Sequence, residues 1–172
     1  ANDTGPFELP DRFYFASNRP GGLGGTDIYV ALLSGVSNRL WHPAANLGSP
    51  INTSCDESDP EVSAQNRDST AVLYFASNRP GGYGGYDLWW VTWDSGESRY
   101  KHPINCGPVV NTPFDEIDPH SGIGDAELYF ASDRPGGAGG FDLYRARRGA
   151  PSTWDTLETL PSVNTAANET GP

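Results

Sequence analysis

Carboxylates return at fixed places in this chain, and their chemistry is the first to weigh. Asp56, Glu57 and Asp59 stand in Asn-Thr-Ser-Cys-Asp-Glu-Ser-Asp-Pro, residues 52–60. Asp115, Glu116 and Asp118 stand in Asn-Thr-Pro-Phe-Asp-Glu-Ile-Asp-Pro, residues 111–119, with a thinner version at Glu169 and Asp3. Clustered carboxylate oxygens are the hard ligands that Ca²⁺ takes, so these six residues are the candidate metal ligands. The competing reading assigns them to turns, where Asp and Glu accept loop N–H groups. Their spacing lacks the dense ligand array of an EF-hand loop. Carboxylates contributed by several repeats to one channel are also what glycoside hydrolysis needs, although no pair stands out from the sequence.

Arg19, Arg79 and Arg134 each lie eight residues before an aspartate: Asp27, Asp87 and Asp142. They form either an anion site with neighbouring glycine amides or a structural loop. In the structural reading each Asp accepts N–H groups of its own glycine loop, or pairs with its Arg, and recurrence in every repeat favours it. Trp89, Trp90 and Trp93, with Tyr83 and Tyr86, are candidates for stacking on sugar faces, with core packing as the alternative. Cys55 and Cys106 lie in corresponding loops and are expected to form a disulfide in an oxidising compartment. No Gly-x-Ser-x-Gly elbow occurs, His42, His102 and His120 lack zinc spacing, and there is no phosphate-binding glycine fingerprint. Gly-Gly-x-Gly-Gly-x-Asp differs from the calcium nonapeptide because its Asp falls one residue late.

These residues sit on a repeat. Phe15–Tyr29 reads FASNRPGGLGGTDIY, and returns as FASNRPGGYGGYDLW at 75–89 and FASDRPGGAGGFDLY at 130–144. Alternating apolar residues, a Gly/Pro reversal and a second apolar run define a β-hairpin with a glycine-built tip. Each unit reads as four strands: in the second, Glu61–Ala64, Ala71–Ser77, Tyr86–Trp93 and Tyr100–Ile104. The first gives Phe7–Leu9, Arg12–Ser17, Thr26–Leu33 and Arg39–Ala44; the third gives Pro119–Gly122, Ala126–Ser132, Phe141–Arg147 and Trp154–Leu160. No window shows a helical apolar stripe, so the chain is expected to be all-β. The blade boundaries fall at about residues 1–48, 49–107 and 108–172.

The net charge is −11, without a Lys/Arg cluster, which disfavours nucleic acid and anionic membrane surfaces as partners. No apolar run is long enough to span a bilayer, so membrane insertion is not expected. Sequons at Asn2, Asn52 and Asn168 are candidate glycosylation sites. Together with the absence of Met and the wealth of Asn, Thr and Gly, they point to a secreted, periplasmic or cell-surface protein.

The motif Tyr-Phe-Ala-Ser-Asn/Asp-Arg-Pro-Gly-Gly-x-Gly-Gly-x-Asp-Ile/Leu-Tyr/Trp, preceded by Asn-Thr-x-x-Asp-Glu-x-Asp-Pro, resembles the TolB-like, WD-like β-propeller repeat family. The resemblance implies propeller blades in exported bacterial proteins, often beside envelope-binding modules, and carries no activity. Three four-stranded antiparallel blades are fewer than a propeller ring contains. A second chain docked head to tail is expected to complete about six, as a closed dimer or a filament. The leading expectation is therefore a non-enzymatic module for protein interaction and self-assembly, with a glycan or envelope protein as partner. The alternatives are a carbohydrate-binding, lectin-like propeller and a glycoside hydrolase or lyase that uses channel carboxylates.

Overall fold

The computed structural model describes residues 1–34, 40–63, 71–150 and 153–172, with the backbone alone at Ile123. The first sheet contains β1 (Asp3–Leu9), β2 (Arg12–Ser17), β3 (Asp27–Ser34), β4 (Leu40–Trp41) and β5 (Ala45–Asn46). The second contains β6 (Glu57–Val62), β7 (Val72–Ser77), β8 (Asp87–Asp94), β9 (Arg99–Tyr100) and β10 (Ile104–Asn105). The third contains β11 (Glu116–Ser121), β12 (Glu127–Ser132), β13 (Asp142–Ala150) and β14 (Thr153–Thr159). All pairings are antiparallel between neighbours, and β4/β5 and β9/β10 together make one outer strand each. The first strands β1, β6 and β11 form one edge of their sheets, and β6 touches both β1 and β11. Three four-stranded sheets stacked face to face around such an inner edge are blades of a β-propeller.

The outer strands differ from the expected continuous runs for a local reason. His42-Pro43 and His102-Pro103 interrupt the ladder, because proline has no N–H to donate to the neighbouring strand. Blade three has no proline there, and β14 runs unbroken for seven residues. Arg39, where the first outer strand was expected to begin, and Ala64 lie outside the described residues. The inner strands start earlier than expected. Each passes its proline at a bulge, with the register shifting between Thr4 and Phe7, Ser58 and Glu61, and Ile117 and His120.

Period-two alternation gives the middle blade two covered faces. Leu73, Phe75, Trp89 and Val91 face Tyr14 and Ile28 of blade one. Tyr74, Ala76 and Leu88 face Leu128, Phe130 and Tyr144 of blade three. Ile51 and Val110, each in the loop that crosses to the next blade, are fully buried plugs of these cores. Burying a side chain of this size contributes roughly 1.5–3 kcal/mol.

Candidate active site

The inner edge is held in place by a rivet repeated in each blade. The Asn52 amide accepts from Ile28 N–H and donates to Ile28 O; Asn111 does the same for Leu88, and Asn164 for Leu143. Asp56, Asp115 and Asn168 accept the N–H of Thr26, Tyr86 and Phe141. Glu57 takes the Thr53 N–H (2.9 Å) and hydroxyl, the Ser77 hydroxyl (3.0 Å) and the Arg79 guanidinium (3.1 Å). Glu116 repeats this with Thr112, Ser132 and Arg134. The arginines also donate to the Ile51 and Val110 carbonyls and lie over aromatic rings of their own blade. Asp27 and Asp142 accept N–H groups of their own glycine loops, as Asp87 does from Tyr83. The arginines thus meet inner-strand carboxylates, Asp3 for Arg19, rather than the aspartates eight residues on.

The glycine tip is packed against the next crossing loop. At Gly84 an added Cβ would overlap the Pro113 and Thr112 backbone, and at Gly24 the Cys55 carbonyl. Gly84→Ala is expected to lower the unfolding free energy by ~2–3 kcal/mol, read as a lower urea midpoint at unchanged slope.

With these groups occupied, two carboxylates at this end of the inner edge have a different setting. Four equivalent positions precede a proline and have positive φ: Gly5 (54°), Asp59 (50°), Asp118 (50°) and Gly171 (68°). Glycine takes this conformation freely, whereas an aspartate there stores strain on the order of 1–3 kcal/mol. The Asp59 carboxylate accepts from the Ser58 hydroxyl (2.9 Å) and faces the Asp118 N–H. The Asp118 carboxylate accepts from Gly171 N–H (3.1 Å). Burial raises Asp59 above the usual carboxylate range. Burial, and then the charge of Asp59, push Asp118 up to about 6, against the Gly171 N–H. Two neighbouring carboxylates, one of which holds its proton to about pH 6, can supply an acid and a base.

The sign of the linked stability follows. Asp118 is raised from an ordinary 3.8, so the fold holds its proton more tightly than the unfolded chain does. Stability is highest below about pH 4 for this group and falls as pH rises towards 6. After allowance for solvent screening this amounts to ~1–2 kcal/mol. Asp118→Asn is expected to recover that amount at pH 7 and to flatten the dependence between pH 4 and 7, measured by urea unfolding across pH.

Several expected sites are placed elsewhere. The Ca²⁺ expectation finds no support: among the described residues no group of three or more His, Cys, Asp or Glu side chains is disposed to hold a metal ion. Glu57, Glu116, Asp56 and Asp115 spend their oxygens on the rivets, which leaves Asp59 and Asp118 as a pair. The disulfide is corrected. Cys106 points into the core between blades two and three, whereas Cys55 lies in the loop against Gly24, and both are free thiols. Trp89 is core and Trp90 packs against the second core, so neither is a free stacking platform; Trp93 is 40% exposed. Asn52 is fully engaged as a rivet and buried, which removes it as a glycosylation acceptor, while Asn2 and Asn168 are exposed. Sequence reasoning missed the contact at the far end of the inner edge, where the buried Glu61 carboxylate accepts from Ser121 N–H and hydroxyl, near His120. Its signal is thin, since Glu61 and Ser121 lie 60 residues apart.

No family model matches the chain, and no curated protein aligns with it. Solved structures do. An endo-arabinase from Bacteroides thetaiotaomicron superposes with a TM-score of 0.58 at 13% identity, over 90% of this chain and 59% of that one. An α-L-arabinofuranosidase from Fusarium graminearum gives 0.59 at 14%, over 90% and 49%. An α-L-arabinanase from Penicillium chrysogenum in complex with arabinobiose gives 0.56 at 14%, over 90% and 49%. The chain thus spans about half the length of the structures it matches. The comparison corrects two expectations. The TolB-like, WD-like assignment falls, because no family model carries it and the matching folds are arabinan-acting enzymes. The non-enzymatic reading falls with it, since the fold's solved neighbours are carbohydrate-active enzymes.

Proposed function

We propose that this chain carries the catalytic carboxylates of a glycoside hydrolase acting on a neutral polysaccharide, with arabinan the first candidate. The observation that carries the reading is the pair Asp59 and Asp118. They are neighbours on the inner edge, both strained in a conformation that glycine holds at the two flanking positions and both raised by burial, Asp118 to about 6. Asp118 keeps its proton up to about pH 6 and gives it to the glycosidic oxygen as the C–O bond breaks. Asp59, as carboxylate, faces the developing positive charge at the anomeric carbon and directs the oxygen that replaces the leaving group. Water is added across the bond, its proton restoring the acid. The net charge of −11 favours neutral glycans over polyanionic ones. The test is release of reducing ends from arabinan and galactan. Turnover that declines above about pH 6 is expected; inactivity on both polymers and on arabinobiose overturns the reading.

A second proposal concerns the bare flanks. Val163 is 49% exposed, although its counterparts Ile51 and Val110 are fully buried, and its carbonyl has the place of those that receive Arg79 and Arg134. Blade one offers the matching group: Arg19, which covers the buried, stacked rings of Phe15 and Tyr29 as Arg79 and Arg134 cover theirs. The proposal is that another blade surface, such as a second copy, covers this flank. Sedimentation should then give a mass above that of one chain, reduced by Val163→Asp; a monomer at tens of micromolar defeats the self-association.

A further inference from the structure

The two gaps between blades are built from equivalent positions but are not filled alike. Between blades two and three, Trp90 and Trp154 enclose the Arg148 guanidinium, at 5.9 and 4.3 Å from their ring centroids. Arg148 also donates to the Tyr74 hydroxyl (2.6 Å), so this gap is closed by a stacked plug. Strand pairing identifies the counterparts between blades one and two. Trp90 pairs with Tyr74 as Val30 pairs with Tyr14, and Arg148 pairs with Trp154 as Trp93 pairs with Tyr100. Valine therefore stands where the large indole would be, and Trp93 stands at the position of Arg148, with Arg12 at the rim beside the Tyr14 hydroxyl.

A cavity of about 1020 Å³ opens in that position. Its floor is aliphatic, with Val30, Leu47, Val62 and Leu73. Its wall carries Trp93, 40% exposed and edge-packed on Tyr100 at 5.0 Å. The Tyr14 and Tyr100 hydroxyls meet there at 3.2 Å. Only one of them donates in that bond, so the other keeps an O–H for a further acceptor. The charges at the rim are already neutralised, Arg12 by Asp11 at 2.8 Å and Arg99 by Glu97. Among the described residues a charged ligand finds only charges already held in ion pairs. A neutral molecule with one apolar face and several hydroxyls finds an indole, an aliphatic floor and a hydroxyl donor.

We infer that the groove between blades one and two is a second saccharide-binding site, apart from the Asp59–Asp118 pair. The choice of a saccharide rests on the glycoside hydrolase reading; the vacancy and its neutrality do not. The cavity holds a short oligosaccharide, so the groove anchors a stretch of glycan away from the bond being cut.

The experiment uses the full chain with Asp59→Asn and Asp118→Asn together, which silences the channel, and titrates arabinobiose and longer arabino-oligosaccharides. Tryptophan fluorescence and saturation-transfer NMR report binding. Saturable binding is expected to persist in this background. Val30→Trp, which copies the filled gap, should weaken it at least tenfold, and so should Trp93→Ala. Should Val30→Trp melt early, Trp93→Ala, at a surface position, decides. No saturable binding in the silenced chain, or binding indifferent to Trp93→Ala, overturns the inference. Hydrolysis by the native chain without groove binding defeats this site alone, and groove binding without hydrolysis defeats the catalytic reading alone.

Discussion

Asp118→Asn is expected to lower the turnover of an arabinan substrate by 10²–10⁴-fold while leaving the chain folded and, at pH 7, more stable. The amide keeps the volume and can still accept the Gly171 N–H through its oxygen, so the inner edge stays in place. What it loses is the proton, which burial and the Asp59 charge hold on this carboxyl to about pH 6. The loss should be greatest for substrates with poor leaving groups and smaller for an activated aryl glycoside, whose leaving group needs little protonation. Asp59→Asn should be as damaging for both substrate types, because an activated leaving group does not replace the carboxylate. It should also lower the pKa of Asp118, by removing a neighbouring negative charge. The declining limb of the residual rate would therefore move to lower pH. The limb moves with the Asp59 charge whatever its role, so the loss of rate on the activated aryl glycoside is what separates a catalytic Asp59 from a structural one.

The second large effect lies in the rivets. Arg79→Ala should cost ~3–5 kcal/mol, because it leaves the Glu57 carboxylate in the protein interior without its cation. The two partners are 8% and 0% exposed at the side chain, so water does not replace the lost charge. Burial lowers the Arg79 pKa, against the favourable pull of Glu57. The ion pair thus offsets a desolvation cost rather than adding a surplus. For that reason the double variant Arg79→Met, Glu57→Gln should be less damaging than Arg79→Ala alone. Arg134→Ala should behave similarly in blade three. Arg19→Ala should cost much less than either, since its bond to Asp3 is solvent-exposed. Chemical unfolding of the three variants side by side measures the gradient.

The hairpins and the number of blades were legible because their determinants are local. Apolar alternation on both sides of Arg-Pro-Gly-Gly-x-Gly-Gly fixes two strands and a reversal without knowledge of the rest of the fold. The inner strands were legible only from their proline onward. Their early halves are polar, and Asp-Glu-Ser-Asp at 56–59 reads as loop until the register with β7 is known. The outer strands were read as continuous because the apolar pattern spans His-Pro, whereas the ladder cannot. The partner of Arg79 was out of reach for the same reason: Asp87 is nearer in sequence, but its own glycine loop consumes it, and Glu57 arrives across the sheet. The candidate acids were visible as recurring aspartates, but as candidate metal ligands rather than as an acid and base. Their distinction from Asp56 and Glu57 lies in a backbone conformation shared with two glycines. The TolB-like resemblance misled because the motif that carries it builds a hairpin tip, which many propellers need and which says nothing of the substrate.

The sandwiched position of the middle sheet has a consequence for motion. Its two apolar faces are both covered, whereas among the described residues each outer sheet packs on one neighbouring sheet. Local opening should therefore cost most at its centre and decline towards either flank. Amide protons of Leu73 to Ala76 should exchange with solvent deuterium last, after their counterparts in the sheets on either side.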